Sequence, residues 1–256
     1  MLLAIDIGNS NIAIGLNDHE VWIKHWRMHT EIKRTADEYA SQLYTLFSQY
    51  QVSTSSIDAV VLSSVVPELL STFIQVIDSF CRVEPLIVNN MIHTGLKEGM
   101  VPKELGSDLL ANAAAAHALF PEKNCMVIDF GTALTFTTVS DEGVILGVAI
   151  APGVGSAVDA LATKTAQLPH VDIKIPRSVL GHNTVEAIQA GVIYGYTGLV
   201  ASLIDQTEEE IGSDLTVIAT GGFSKIIAPK IPRIDLLKPW HTLDGLKLFH
   251  ELNEHI

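Results

Sequence analysis

The chain of 256 residues has only two cysteines, Cys81 and Cys125, with neither metal-ligand spacing nor a disulfide framework between them. A thiolate-bound metal and a stapled secreted scaffold are both excluded, and a reducing compartment is expected. Positive charge is scarce as well: 16 Lys and Arg face 29 Asp and Glu, for a net charge of −13. A nucleic acid or an anionic membrane as the main partner needs clustered cations, which this composition does not supply. There is no Walker A loop, and Gly153-x-Gly155 is not completed into a dinucleotide fingerprint. The N-terminus lacks a basic region and its apolar run stops at Asp6, so no signal peptide is expected. The longest greasy segment, Leu109–Phe120, has 12 residues and includes Asn112 and His117, too short for a bilayer span. The expectation is a cytoplasmic protein that binds neither nucleic acid nor membrane.

What the chain does have is an internal repeat. Ala4–Leu16 reads AIDIGNSNIAIGL, and Val127–Val139 reads VIDFGTALTFTTV. Asp6 answers to Asp129 and Gly8 to Gly131, an offset of 123 residues, which is too long for a solenoid and right for a duplicated domain. Each copy is an apolar strand ending in Asp-x-Gly, a small polar turn and a second strand. Such a tip can aim backbone N–H groups and a hydroxyl at a phosphate, with an Asp beside them for a cation. Gly8 lets the backbone come close, and Asn9 and Ser10 supply donors. Two facing copies would grip a polyphosphate.

Periodicity predicts strands at Leu2–Ile7, Asn11–Leu16 and Val21–Trp26. A helix capped by Thr35 follows, then a strand at Ala59–Leu62, a helix at Pro67–Phe80 and a strand at Pro85–Val88. Gly106-Ser107-Asp108 opens an alanine-rich helix to Phe120. Strands are predicted at Cys125–Phe130, Leu134–Val139, Val144–Ile150 and Leu215–Thr220, and helices at Gly155–Gln167, Thr184–Gly212 and Leu246–Asn253. Both halves begin with a strand, an Asp-x-Gly turn and a meander and no Pro/Ser-rich linker separates them, so two packed α/β halves are expected, divided at 1–105 and 106–256, with a cleft between them.

The duplicated Asp-x-Gly hairpins resemble the superfamily of sugar kinases, actin and heat-shock ATPases, whose ribonuclease-H-like halves grip ATP between them. The closer resemblance is to type III pantothenate kinases. It runs through DIGNS (Asp6–Ser10), PKELGSDLLANAAAA (Pro102–Ala116), IDFGTALT (Ile128–Thr135), IAPG (Ile150–Gly153), ALATKTAQLP (Ala160–Pro169), GHNT (Gly181–Thr184), ATGG (Ala219–Gly222) and LDGL (Leu243–Leu246). The resemblance implies ATP-dependent phosphorylation of pantothenate, the first step towards coenzyme A. It also implies a Mg²⁺-bound nucleotide, a monovalent cation (K⁺ or NH₄⁺) on Asp129, and a homodimer. ATP contacts are implied for Asp6, Ile7, Gly8, Asn9, Ser10, Asn11, Ile12, Ala13, Thr132, Gly221 and Gly222. Asp108 takes the place of the catalytic base; Gly106, Ser107, Asp108 and Leu109 line the acceptor site, with Thr184 contributed across the dimer.

Each motif taken alone also has a structural explanation: a plain hairpin turn at Gly8, a self-capping Asp129, a bare Gly-Gly turn, and N-caps at Asp108 and Thr184. In the first turn of a helix, the dipole is expected to hold Asp108 ionised, as a weak base. The departures from the family pattern fall on the acceptor side. Leu109 stands where the family has Arg, Lys97–Val101 lacks the usual Tyr, and Gly147-Val148 has lost a glycine. Lys97 or Lys103 is a candidate substitute for the missing Arg, though not a bidentate one. The alternative function is a relative that binds ATP but has an altered or lost acceptor.

Overall fold

The computed structural model describes residues 1–89, 91–97, 105–165 and 167–254. They form two compact units: 1–95, 105–115 and 242–254 make the first, and 96–97 with 116–241 the second, counting described residues.

In the first unit, β1 (Leu2–Ile7), β2 (Asn11–Asp18) and β3 (Val21–His29) are antiparallel neighbours. Next come α1 (Ala36–Gln49), β4 (Ala59–Ser64), α2 (Pro67–Phe80) and β5 (Leu86–Ile87), in a sheet ordered β3-β2-β1-β4-β5. β1 and β4 are apolar on both faces, as a parallel central pair covered on both sides must be. Thr35 and Glu38 close a capping box at the start of α1, and Pro67 sits at the first helical position of α2, where its missing N–H costs nothing. The two helices pack through Tyr39 and Phe73, whose ring centroids are 4.9 Å apart.

The unit is completed by the first part of α3 (Ser107–Leu119) and by α7 (His241–Asn253) from Thr242 onward. These two helices come very close. A Cβ on Gly245 would lie 2.2 Å from the Ala111 carbonyl oxygen, and Thr242 Oγ1 donates to Asn112 Oδ1 at 3.0 Å. Such contact explains why α3 is built from alanine, and it is why the first unit reaches past the chain-order division at 105/106.

The second unit repeats the plan. It contains β6 (Cys125–Phe130), β7 (Ala133–Val139), β8 (Ile145–Pro152), α4 (Val154–Lys164), α5 (Thr184–Ile211), β9 (Thr216–Thr220), α6 (Ser224–Ile227) and β10 (Leu236–Leu237). Its sheet order is β10-β9-β6-β7-β8, with β6 parallel to β9 and antiparallel to β7. Read from its other edge, this is the first sheet again, with β6 standing for β1 and β9 for β4. The helix α5 ends on Gly212 in the left-handed conformation, φ 70°. By length and composition α5 is able to cross a bilayer, with mean hydropathy 1.5 over its most apolar window, of which 33% is buried. On its inner side, Ile188, Val192, Ile193, Val200 and Ile204 enter the second core.

Candidate functional site

The first Asp-x-Gly loop joins β1 to β2. Gly8 N–H donates to the Asn11 carbonyl at 3.0 Å, and a Cβ on Gly8 would lie 2.9 Å from that oxygen, so the turn is closed too tightly for a side chain. Buried Thr30, just past β3, holds the loop from behind. Its hydroxyl donates to the Gly8 carbonyl at 2.7 Å and its N–H to the Ser10 carbonyl at 3.0 Å. Among the residues expected to touch ATP, Gly8, Asn9, Ser10 and Asn11 make up the turn, while the side chains of Ile7 and Ile12 are wholly buried. Neither of those two side chains is open to solvent. Ala13 lies opposite Asp6 in the β1–β2 register.

Asp6, next to last in β1, lies directly beside Ser63 of β4. Ser63 Oγ donates to Asp6 Oδ1 at 2.9 Å and lies 2.9 Å from Ser107 Oγ at the start of α3. The sheet thereby brings Asp6 and Gly106–Leu109 into one cluster. Asp108 Oδ1 accepts the Leu109 N–H at 2.9 Å, and a Cβ on Gly106 would stand 2.5 Å from the same oxygen. Gly106 therefore makes room for the carboxylate. The helix-dipole expectation for Asp108 is overturned: burial pushes its carboxyl above the ordinary range, more than the backbone N–H bonds lower it. The group is a stronger base than an exposed first-turn Asp. Leu109 is 8% exposed and points into the protein. Lys97 is engaged with Glu142 at 3.1 Å on the surface, and Lys103, with the rest of 98–104, lies outside the described residues.

The second loop, Asp129–Thr132, joins β6 to β7. Asp129 stands between Thr135 of β7 and Thr220 of β9 in the strand register. A Cβ on Gly221 would fall 2.2 Å from Asp129 Oδ1 and 2.7 Å from the Phe130 backbone, and Gly221 has φ +91°. Both space and conformation demand glycine there. A Cβ on Gly153 would meet the Thr132 carbonyl at 2.1 Å, so the start of α4 packs on the loop backbone, and Ser156 Oγ donates to the same carbonyl at 2.8 Å. Gly222 follows in the turn leading to α6, where Ser224 Oγ donates to the Gly221 carbonyl at 2.7 Å. Thr184 is elsewhere: it opens α5, whose N-cap is Asn183, and lines a groove of about 840 Å³ with Leu161, Leu168, Gly191, Gly195 and Tyr196.

Among the described residues, no three His, Cys, Asp or Glu side chains converge to hold a metal. A cation at Asp129 would need oxygens from its ligand as well. The donor type suits a hard ion: one carboxylate in a cradle that a Cβ at Gly221 would fill. Thr30, Ser63 and Ser156 were not reached by sequence reasoning. Each contacts a loop distant in the chain, and only the strand register could have pointed to Ser63.

Two α/β units, each a five-stranded sheet carrying an Asp-x-Gly hairpin beside a parallel strand, define a duplicated ribonuclease-H-like fold. Solved structures share it. A Campylobacter jejuni protein assigned to the Baf family of transcriptional activators superposes with TM-score 0.64 at 16% identity, covering 99% of this chain and 100% of that one. A Sinorhizobium meliloti protein assigned as a 2-dehydro-3-deoxygalactonokinase gives 0.61 at 11% identity, covering 100% and 98%. The family model for type III pantothenate kinase matches residues 2–206. Type III pantothenate kinases of Roseiflexus sp. and Dehalococcoides mccartyi are 42% and 40% identical over 254 residues, each alignment covering 99% of this chain and 99% and 98% of the relative. The chain belongs to the type III pantothenate kinase family.

Proposed function

We propose that the protein is an ATP-dependent kinase that phosphorylates the primary hydroxyl of pantothenate. The observation that carries this reading is the full-length similarity to curated type III pantothenate kinases. In this reading each Asp-x-Gly loop is a phosphate contact for the nucleotide. Both loops are held tightly by the chain itself: a Cβ on Gly8 would meet the Asn11 carbonyl, and one on Gly221, in the turn after β9, would meet Asp129. Asp108 accepts the hydroxyl proton as the pantothenate oxygen bonds to the γ-phosphorus and the bridging bond to the β-phosphate breaks, releasing ADP. A carboxylate raised by burial suits that task, although positioning does most of the work in a loose phosphoryl-transfer transition state. Mg²⁺ with the nucleotide and a monovalent cation at Asp129 would neutralise developing phosphate charge. Asp129 and the Gly221 cradle would hold the monovalent ion.

The reading includes a homodimer, supported by the outer face of α5. Thr184, Ala187, Gly191, Gly195 and Gly198 are exposed on one stripe, flanked by exposed Val185 and Tyr194. Such a face lets a second helix approach closely, and Thr184 sits at its end. The cytoplasm is the proposed compartment, in keeping with two free cysteines. No observation favours the altered-acceptor alternative.

The test is phosphate transfer from ATP to pantothenate in Mg²⁺ and K⁺, followed by ³¹P NMR. Appearance of 4'-phosphopantothenate is the expected result. ATP-induced thermal stabilisation without any transfer would overturn the reading.

A further inference from the structure

Ser63 is wholly buried on β4, and its hydroxyl is placed between two oxygens: the carboxylate Oδ1 of Asp6 on one side and Ser107 Oγ on the other, both at 2.9 Å. The proton count gives this chain a direction. An ionised carboxylate only accepts, so the single proton of Ser63 goes to Asp6. Ser63 then has only lone pairs to offer Ser107, whose own proton must point to Ser63. The hydroxyl of Ser107 is thus turned towards the sheet. Other residues of this first turn have their own tasks: Gly106 leaves space for the Asp108 carboxylate, and Leu109 offers its N–H to Asp108.

We propose that Ser63 and Ser107 are positioning residues, a two-hydroxyl link from the Asp6 loop to the first turn of α3 that sets where Asp108 stands. The inference rests on the reading of Asp108 as the group that takes the acceptor proton. It assigns Ser107, expected to line the acceptor site, a different task for its hydroxyl: Ser107 acts through Ser63 and its hydroxyl makes no contact with pantothenate. A helix start tied to a strand by one short bond keeps its first-turn side chain within the tolerance that phosphoryl transfer needs, where a displacement of about 1 Å can cost up to a hundredfold in rate.

The experiment is steady-state kinetics of wild type, Ser107→Ala, Ser107→Thr, Ser63→Ala and the Ser63→Ala/Ser107→Ala double variant. Wild-type turnover of pantothenate is established first, so that failure of the activity is seen separately from failure of the link. Ser107→Ala is expected to lower kcat about tenfold with the pantothenate KM within about twofold, and Ser107→Thr to recover most of the loss. Because one hydroxyl acts through the other, the double variant is expected to be no slower than Ser63→Ala alone. A raised pantothenate KM with unchanged kcat in Ser107→Ala would show the hydroxyl on the substrate and overturn the proposal. Multiplying losses in the double variant would overturn it too. Circular dichroism and melting check that each variant folds; if buried Ser63→Ala does not, the Ser107→Ala and Ser107→Thr pair decides alone.

Discussion

Asp108 is held by two opposing influences. Burial raises its pKa, and the Leu109 N–H pulls it back down. Because burial penalises the ionised form, the native state holds the proton more tightly than the unfolded chain. That stabilisation is complete below the ordinary aspartate value of 3.8 and is lost as pH rises through the raised native value. At neutral pH the carboxylate is therefore a local liability. Asp108→Asn is expected to raise the Tm at pH 7, by roughly 2–4 °C for each kcal/mol relieved, with the gap to wild type closing as the pH falls towards 4. The same variant should lose about a hundredfold or more in kcat while ATP still binds, as calorimetry would show. Wild-type kcat should fall on its acid side at a pH above the ordinary carboxylate range. The neighbouring Leu109 supports the opposite kind of prediction. Its side chain is buried, so Leu109→Arg is expected to cost about 2–3 kcal/mol in urea denaturation without lowering the pantothenate KM. A markedly lower KM in that variant would instead make the missing family Arg the weakness of this acceptor site.

At the scale of elements, the two hairpins do not support themselves. Thr30 reaches back to the first loop from the end of β3, and the start of α4 presses on the second through Gly153. The turn after β9 closes over Asp129 so tightly that Gly221 is held at φ +91° against its carboxylate. Gly221→Ala adds a Cβ where both the space and the backbone conformation refuse it. A loss of about 2–4 kcal/mol is expected, combining a strained φ with displacement of Asp129, and is measurable as a lower urea midpoint. ATP affinity, followed by isothermal titration, should fall in the same variant. An unchanged midpoint would mean that the turn relaxes without cost.

For the whole molecule, the duplication goes further than the repeated motif. Asp6 has Ser63 beside it on the parallel strand, and Asp129 has Thr220 in the matching place, so each unit pairs its loop carboxylate with a hydroxyl residue. The units differ in what surrounds that pair: the first adds α3 and Asp108, and the second adds α5 with its open face. A Cβ on Gly195 would meet nothing within 4 Å in a single chain. If the protein is the proposed homodimer, Gly195→Arg should fold normally yet run as a monomer in size-exclusion chromatography with light scattering, where wild type runs as a dimer. Pantothenate turnover should fall at least about tenfold if Thr184 serves the partner's site, a loss in keeping with removal of a charge-assisted or positioning contact. A dimer that survives the substitution would move the interface off this stripe.

The repeated Asp-x-Gly hairpin, the boundaries of β1, α2 and β6, the cap at Thr35 and the glycine-closed end of α5 were all legible in the sequence. Each depends on local chemistry: a period of apolar residues, a proline at a helix start where no N–H is needed, a left-handed φ that glycine accepts readily, a side chain capping its own helix. Tertiary structure decided what depended on neighbours far along the chain. It moved α7 and the start of α3 to the first unit, because Gly245 lets one helix touch Ala111 of the other. It also set Ser63 between Asp6 and Ser107 by strand register, and turned Asp108 from a dipole-stabilised carboxylate into one raised by burial. Desolvation depends on every atom packed around a group, and no spacing along one strand of sequence encodes that.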